Sequence, residues 1–84
     1  MTSAMPTPIE ARALAVRNAT NANLRTLPQP AIYEKRYMAL SIALNDLNAA
    51  LKVYRNSRTV ATSSALTITT LHLARRRASL FGEC

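Results

Sequence analysis

The chain has 84 residues and a formal net charge of +7, from eleven Lys and Arg against four Asp and Glu, with one His, one Cys and one Gly. These few reactive groups exclude the usual catalytic triads, dyads and metal cages, and a lone Gly cannot form a phosphate-binding loop. A chain this short buries only about 60% of the surface that it exposes when unfolded. We therefore predict a single, marginally stable, non-enzymatic domain with no cofactor and no metal.

The composition favours helices over sheets. All four Pro lie within the first thirty residues, and the single Gly is Gly82, so no Gly-based hairpin turn can fold strands back on one another. We predict an all-α fold of two to three helices, arranged as a loose three-helix bundle or an elongated helical hairpin. The expected helical domain spans residues 7–82, between an extended N-terminal leader at 1–6 and a tail at 83–84.

The first residues contain no apolar run of the kind found in secretory signal peptides, so we expect the protein not to be secreted. The first 27 residues are also rich in Ala and contain three Arg but only one acid, Glu10, which is a composition typical of organellar transit peptides. An intracellular or viral-particle location is therefore favoured, and an organellar location stays open.

The first predicted helix covers residues 8–26. Thr7 can accept a hydrogen bond from a free backbone amide, Pro8 suits the first helical position, and Glu10 at the third position completes a capping box. Small residues make up most of its apolar stripe, and its Asn residues have mediocre helix propensity. We therefore expect this helix to depend on its packing partners and to end before Pro28.

The longest periodic pattern predicts a second helix over residues 30–56, joined to the first by about four residues and antiparallel to it. Apolar side chains recur in alternating steps of four and three, as in a coiled coil, and a second apolar row runs beside them. Only a narrow polar stripe remains for contact with water, so we expect other protein surfaces to cover this helix from at least two sides. The predicted protein-interface residues are Tyr33, Tyr37, Met38, Leu40, Ile42, Leu44, Leu47, Leu51, Val53 and Tyr54.

A third helix is predicted over residues 64–81, after a break near 57–63, with Gly82 as its left-handed terminator. The alternative is a strand, because Leu66 and Ile68 stand among Thr residues in near alternation. A lone strand would need a partner strand that this chain does not offer. The neutral run from Thr59 to Ala74 is shorter than the roughly 20 residues that a membrane span requires, so we expect no span.

The densest charge is a run of three arginines near the end of the third predicted helix. Together with three earlier bases, these side chains could contact phosphates in a salt-dependent and weakly specific way. The alternative is a solvated or protein-contacting helix end that suits the helix dipole. The candidate phosphate-contacting residues are Lys52, Arg55, Arg58, Arg75, Arg76 and Arg77.

The same segment contains a candidate phosphorylation site. The sequence Arg76-Arg77-Ala78-Ser79-Leu80 resembles the consensus of basophilic, cyclic-AMP-dependent-type protein kinases. Phosphate on Ser79 would add negative charge beside the arginines and could reorder the end of the chain.

The sequence therefore leads to two main functional hypotheses. The first is a structural assembly subunit, in which other protein chains or further copies complete the apolar surface of the second helix within a larger particle such as a virion or an organellar complex. The second is a small nucleic-acid-binding or packaging protein that uses the arginine run. A membrane-surface or partner-regulating peptide is a third hypothesis.

Overall fold

A computed structural model describes residues 7–30 and 33–82, and this part of the chain forms three α-helices and no strand. Helix α1 spans Pro8–Arg25, α2 spans Lys35–Asn56 and α3 spans Val60–Phe81. Each helix packs against the other two, so the fold is a bundle rather than an elongated hairpin. The predicted all-α class is confirmed and the strand alternative is wrong. The predicted leader and tail lie outside the described residues.

Contacts between helix ends give the topology. Thr7, just before α1, and Tyr54, in the last turn of α2, share a hydrogen bond of 2.7 Å between their hydroxyls. At the other end of the bundle, Arg77 of α3 donates a hydrogen bond to Asn23 of α1. Helix α2 therefore runs antiparallel to both α1 and α3, which are parallel to each other.

Helix α1 starts as the sequence predicts. Thr7 is the N-cap and its hydroxyl accepts a hydrogen bond from the backbone N–H of Glu10 at 3.2 Å, while Pro8 occupies the first turn. Only the Thr7 half of the predicted capping box forms, because the Glu10 carboxylate pairs with arginines of the neighbouring segments instead. The end of the helix, at Arg25, lies one residue before the predicted end.

Helix α2 begins at Lys35, five residues after the predicted start at Pro30. Glu34 is the N-cap, because its carboxylate accepts hydrogen bonds from both the backbone and the side chain of Arg36. The connection at residues 26–34 is longer than the four or so residues predicted, and Leu27 within it is buried. Tyr33 consequently lies before the helix and not on its apolar seam.

Helix α3 begins at Val60, four residues before the predicted start. Thr59 accepts a hydrogen bond from the Thr62 backbone N–H at 3.2 Å, and the Thr62 hydroxyl accepts one from the Thr59 backbone at 2.8 Å. Thr62 thus takes the place of the Glu or Gln that usually closes a capping box. At the other end, Gly82 has a left-handed backbone with φ of 67°, which confirms its predicted role as terminator.

The core lies where the three helices meet. Helix α2 contributes most of it, α3 contributes Leu66 and Leu73, and α1 contributes the small Ala13 and Thr20. The buried hydroxyls of Thr20 and Thr70 donate to carbonyl oxygens one turn earlier in their own helices, at 2.8 and 2.7 Å. The small side chains of α1 let it approach the other two helices closely, so its position depends on packing more than on helix propensity.

We expect Leu66→Ala to destabilise the fold by about 2–5 kcal/mol, since it removes a fully buried side chain and leaves a cavity. Ile68→Ala on the same helix is the matched control, because Ile68 is exposed, and we expect a change of at most about 0.5 kcal/mol. Urea denaturation followed by circular dichroism measures both. Equal losses for the two variants would contradict the placement of α3.

Candidate interaction surfaces

Helix α2 has a second apolar side that no described part of the chain covers. Met38, Ile42 and Val53 are 57%, 66% and 53% exposed, and Ala49 between them is also exposed. Their spacing of four, seven and four positions places them on one side of the helix, away from Leu47 and the core. We call Met38, Ile42, Ala49 and Val53 the outer stripe.

The outer stripe borders a shallow apolar groove between α2 and α3. Ala49, Ala50 and Val53 form its α2 wall, and Ala61 and Ala65, with Thr62, form its α3 wall. The groove encloses about 290 Å³. Because most of its walls are methyl groups, a side chain or helix of another molecule could approach the backbone closely here.

The ten predicted interface residues divide into three groups. Leu40, Leu47, Leu51 and Tyr54 are buried in the core of this chain, where they pack against α1 and α3. A second group, half-buried, consists of Tyr37 and Leu44. The third group, exposed, consists of Tyr33, Met38, Ile42 and Val53.

The six candidate phosphate-contacting residues do not form one patch. Three lie near the end of α2 and the start of α3, and three lie in the last turns of α3. At 1.5 Å per residue, about 22 Å of α3 separates Val60, at its start, from Arg75. All six side chains except the half-buried Arg77 are exposed. Arg55 and Arg58 pair with Glu10, and Arg77 donates a hydrogen bond to Asn23.

At the first of these two ends, the carboxylate of Glu10 is buried between two arginines. Its Oε2 atom lies 2.7 Å from Nε of Arg55, and its Oε1 atom lies 3.5 Å from Nη2 of Arg58. Glu10 is only 6% exposed. The guanidinium of Arg58 also lies over the ring of Tyr54, 5.6 Å from its centre. Sequence reasoning missed this site, because it assigned Glu10 to helix capping only.

At the opposite end, Glu34 and Arg36 form a partly buried ion pair with distances of 3.0 and 3.2 Å. Hydrogen bonds from Arg36 lower the pKa of the Glu34 carboxyl, and the same pair raises the pKa of Arg36. The Arg36 guanidinium also lies 5.2 Å from the centre of the Phe81 ring. These contacts join the start of α2 to the last turn of α3.

Ser79 is exposed in the last turns of α3, so the candidate phosphorylation site is accessible. It follows Arg75 and Arg76 by four and three positions, which places all three side chains on neighbouring parts of the helix surface. Phosphate there would lie next to two exposed guanidinium groups.

Other kinds of site are not found in the described segments. Within residues 7–30 and 33–82, no group of three or more His, Cys, Asp and Glu side chains is arranged to hold a metal ion. Over the same segments, none of the helices combines the length and the hydropathy that crossing a membrane requires. Comparisons of the chain with protein-family models, curated proteins and solved structures find no match.

We expect Glu10→Gln to lower the free energy of unfolding by about 1–3 kcal/mol, because it removes the charge from a buried, arginine-paired carboxylate. The control is Asp46→Asn, which makes the same change at an exposed position and should leave the denaturation midpoint nearly unchanged. Urea denaturation at neutral pH measures both variants. A Glu10→Gln variant as stable as the Asp46→Asn variant would contradict the described pairing.

Proposed function

We propose that this protein is a non-enzymatic assembly subunit that packs into a larger macromolecular particle, such as a virion or an organellar complex. The observation that carries the proposal is the outer stripe of α2, where Met38, Ile42 and Val53 stay more than half exposed. Apolar side chains that stay exposed on one side of a helix mark a candidate protein–protein contact.

The energetics support burial of the stripe by another protein chain. Complete burial of a Met, Ile or Val side chain contributes about 1.5–3 kcal/mol, so covering the exposed part of each gives roughly 1 kcal/mol or more. The adjoining alanines of α2 and α3 add a groove into which larger side chains of a partner can fit. The bundle is also small, and additional buried area from a partner would stabilise it.

We expect Ile42→Glu to weaken incorporation into the particle at least about tenfold, because the new carboxylate would have to lose its water in the contact. The matched control is Asn48→Glu, which adds the same charge at an exposed position outside the stripe on the same helix. Gradient sedimentation of tagged chains in extracts of the source cells measures the fraction that travels with large complexes.

The expected result is fast sedimentation of the unchanged chain and the Asn48→Glu variant, with Ile42→Glu remaining near the top of the gradient. Circular dichroism checks that both variants are folded. Sedimentation of the unchanged chain as a compact monomer in the extract would overturn the assembly role.

The second candidate function is weakly specific nucleic-acid binding through the end of α3. The distribution of charge supports this function. Two of the acids in the described residues, Glu10 and Glu34, are already paired with arginines, so they do not neutralise the bases at the end of α3. Arg75 and Arg76 are exposed on consecutive positions and extend from the bundle end. Phosphates are suitable partners for such groups.

For this function we expect the double substitution Arg75→Ala and Arg76→Ala to reduce the slope of log affinity against log salt by about two, because two phosphate contacts are lost. The control removes two charges of α1 that are not among the candidate phosphate contacts, with Arg12→Ala and Arg17→Ala. Fluorescence anisotropy with a labelled duplex and a labelled single strand measures both proteins. Absence of binding at low salt, or equal loss in both double variants, counts against a nucleic-acid site at this end.

A further inference from the structure

A second groove lies between α1 and α3, on the other side of α3 from the outer stripe. Its widest part encloses about 600 Å³ and is lined by Ile9, Arg58, Val60, Ser64, Thr67 and Ile68, among others. It continues along the same two helices into a space of about 250 Å³, which also reaches Arg12 and Thr70. The two spaces share Ile9 and Thr67, so they lie side by side, and together we call them the α1–α3 groove.

The groove has an apolar floor. Val60 and Ile68 are 84% and 66% exposed, and Ile9 is half-buried between the helices. The hydroxyls of Ser64 and Thr67 line it as well. A ligand that fits this surface therefore presents an apolar ridge with polar groups on its flanks.

The charge of the groove is positive. Arg12 and Arg58 line it, and no acidic side chain of residues 7–30 and 33–82 lines either of its two parts. The nearby Glu10 carboxylate is shared by Arg55 and Arg58, so it compensates only one of those two charges. Arg12 is exposed on α1 and adds a further charge. An occupant of complementary charge is therefore acidic.

We propose that the α1–α3 groove binds an acidic amphipathic helix of a partner protein. Apolar side chains of that helix pack on Ile9, Val60 and Ile68, and its flanking carboxylates pair with Arg12 and Arg58. The groove follows α3 from Val60 to Thr70, which is about 15 Å, or roughly three helical turns. Helices that dock in this way use anchors at positions i, i+3, i+4 and i+7.

The shape and lining favour a helix over other acidic partners. In the part of the chain that the structure describes, no aromatic side chain lines either part of the groove, so stacked nucleic-acid bases have no platform there. A helix can instead lay a row of its side chains along the space between α1 and α3.

The test uses a synthetic 14-residue peptide with Leu at the four anchor positions and Glu on both flanks, labelled for fluorescence anisotropy. We expect Arg12→Glu to weaken its binding about tenfold, since an attractive pair becomes a repulsive one. Arg25→Glu makes the same charge change at an exposed position of α1 outside the groove and should alter binding less than about twofold. A peptide with Gln in place of Glu should bind at least about tenfold more weakly.

The apolar contact is tested independently of charge. Ile68→Ser should weaken peptide binding about tenfold, because it removes an anchor contact. Ile42→Ser, on the outer stripe, should leave peptide binding unchanged, so failure of this proposal is distinguishable from failure of the assembly role. Both positions are exposed, and circular dichroism verifies that the variants fold.

Three results would overturn the proposal. The first is no binding of the acidic peptide, and the second is equal weakening by Arg12→Glu and Arg25→Glu, which would indicate unspecific charge attraction. The third comes from competition with an RNA oligonucleotide or anionic phospholipid vesicles. If either binds more tightly than the peptide, with dependence on Arg12 and none on Ile68, the groove recognises a different class of partner.

Discussion

The contact that sets how α1 is placed against the end of α2 is the buried carboxylate of Glu10 between Arg55 and Arg58. The side chains that α1 buries completely, Ala13 and Thr20, are small, and its larger apolar side chains stay partly exposed, so hydrophobic burial alone fixes its position along α2 only weakly. Each carboxylate oxygen meets a different arginine, and the Thr7–Tyr54 hydrogen bond lies in the same region. A shift of α1 along the bundle would separate the buried carboxylate from both arginines, so it is disfavoured.

This arrangement also determines which side of α2 is left open. Two neighbouring helices cover only part of the circumference of a third, and here α1 and α3 both pack on the side that carries Leu40, Leu47 and Leu51. The side that carries Ile42 and Val53 stays uncovered. The apolar side chains on that side of α2 are not part of the core of the described fold, which supports the proposed assembly role.

The ion pairs shape the surface as well as the interior. Glu10 and Glu34 are both used within the bundle, one at each end, and Asp46 is the remaining acid in the described residues. The outer surface therefore carries most of the unpaired positive charge. This charge could bind two different partners, which are an acidic protein helix in the α1–α3 groove and a phosphate at the end of α3. The two contacts depend on different arginines.

The sequence by itself determined the helical class, the start of α1 at Thr7 and the end of α3 at Gly82, because caps and terminators act through neighbouring residues. It did not locate the start of α2, because Pro30 and Glu34 are both suitable residues for a helix start. The hydrogen bonds between Arg36 and Glu34 favour the later of the two. Only the tertiary structure decided which apolar side of α2 is buried and where the carboxylate of Glu10 is paired. Its nearest partner is 45 positions away, and the position of a distant helix follows from packing rather than from local sequence.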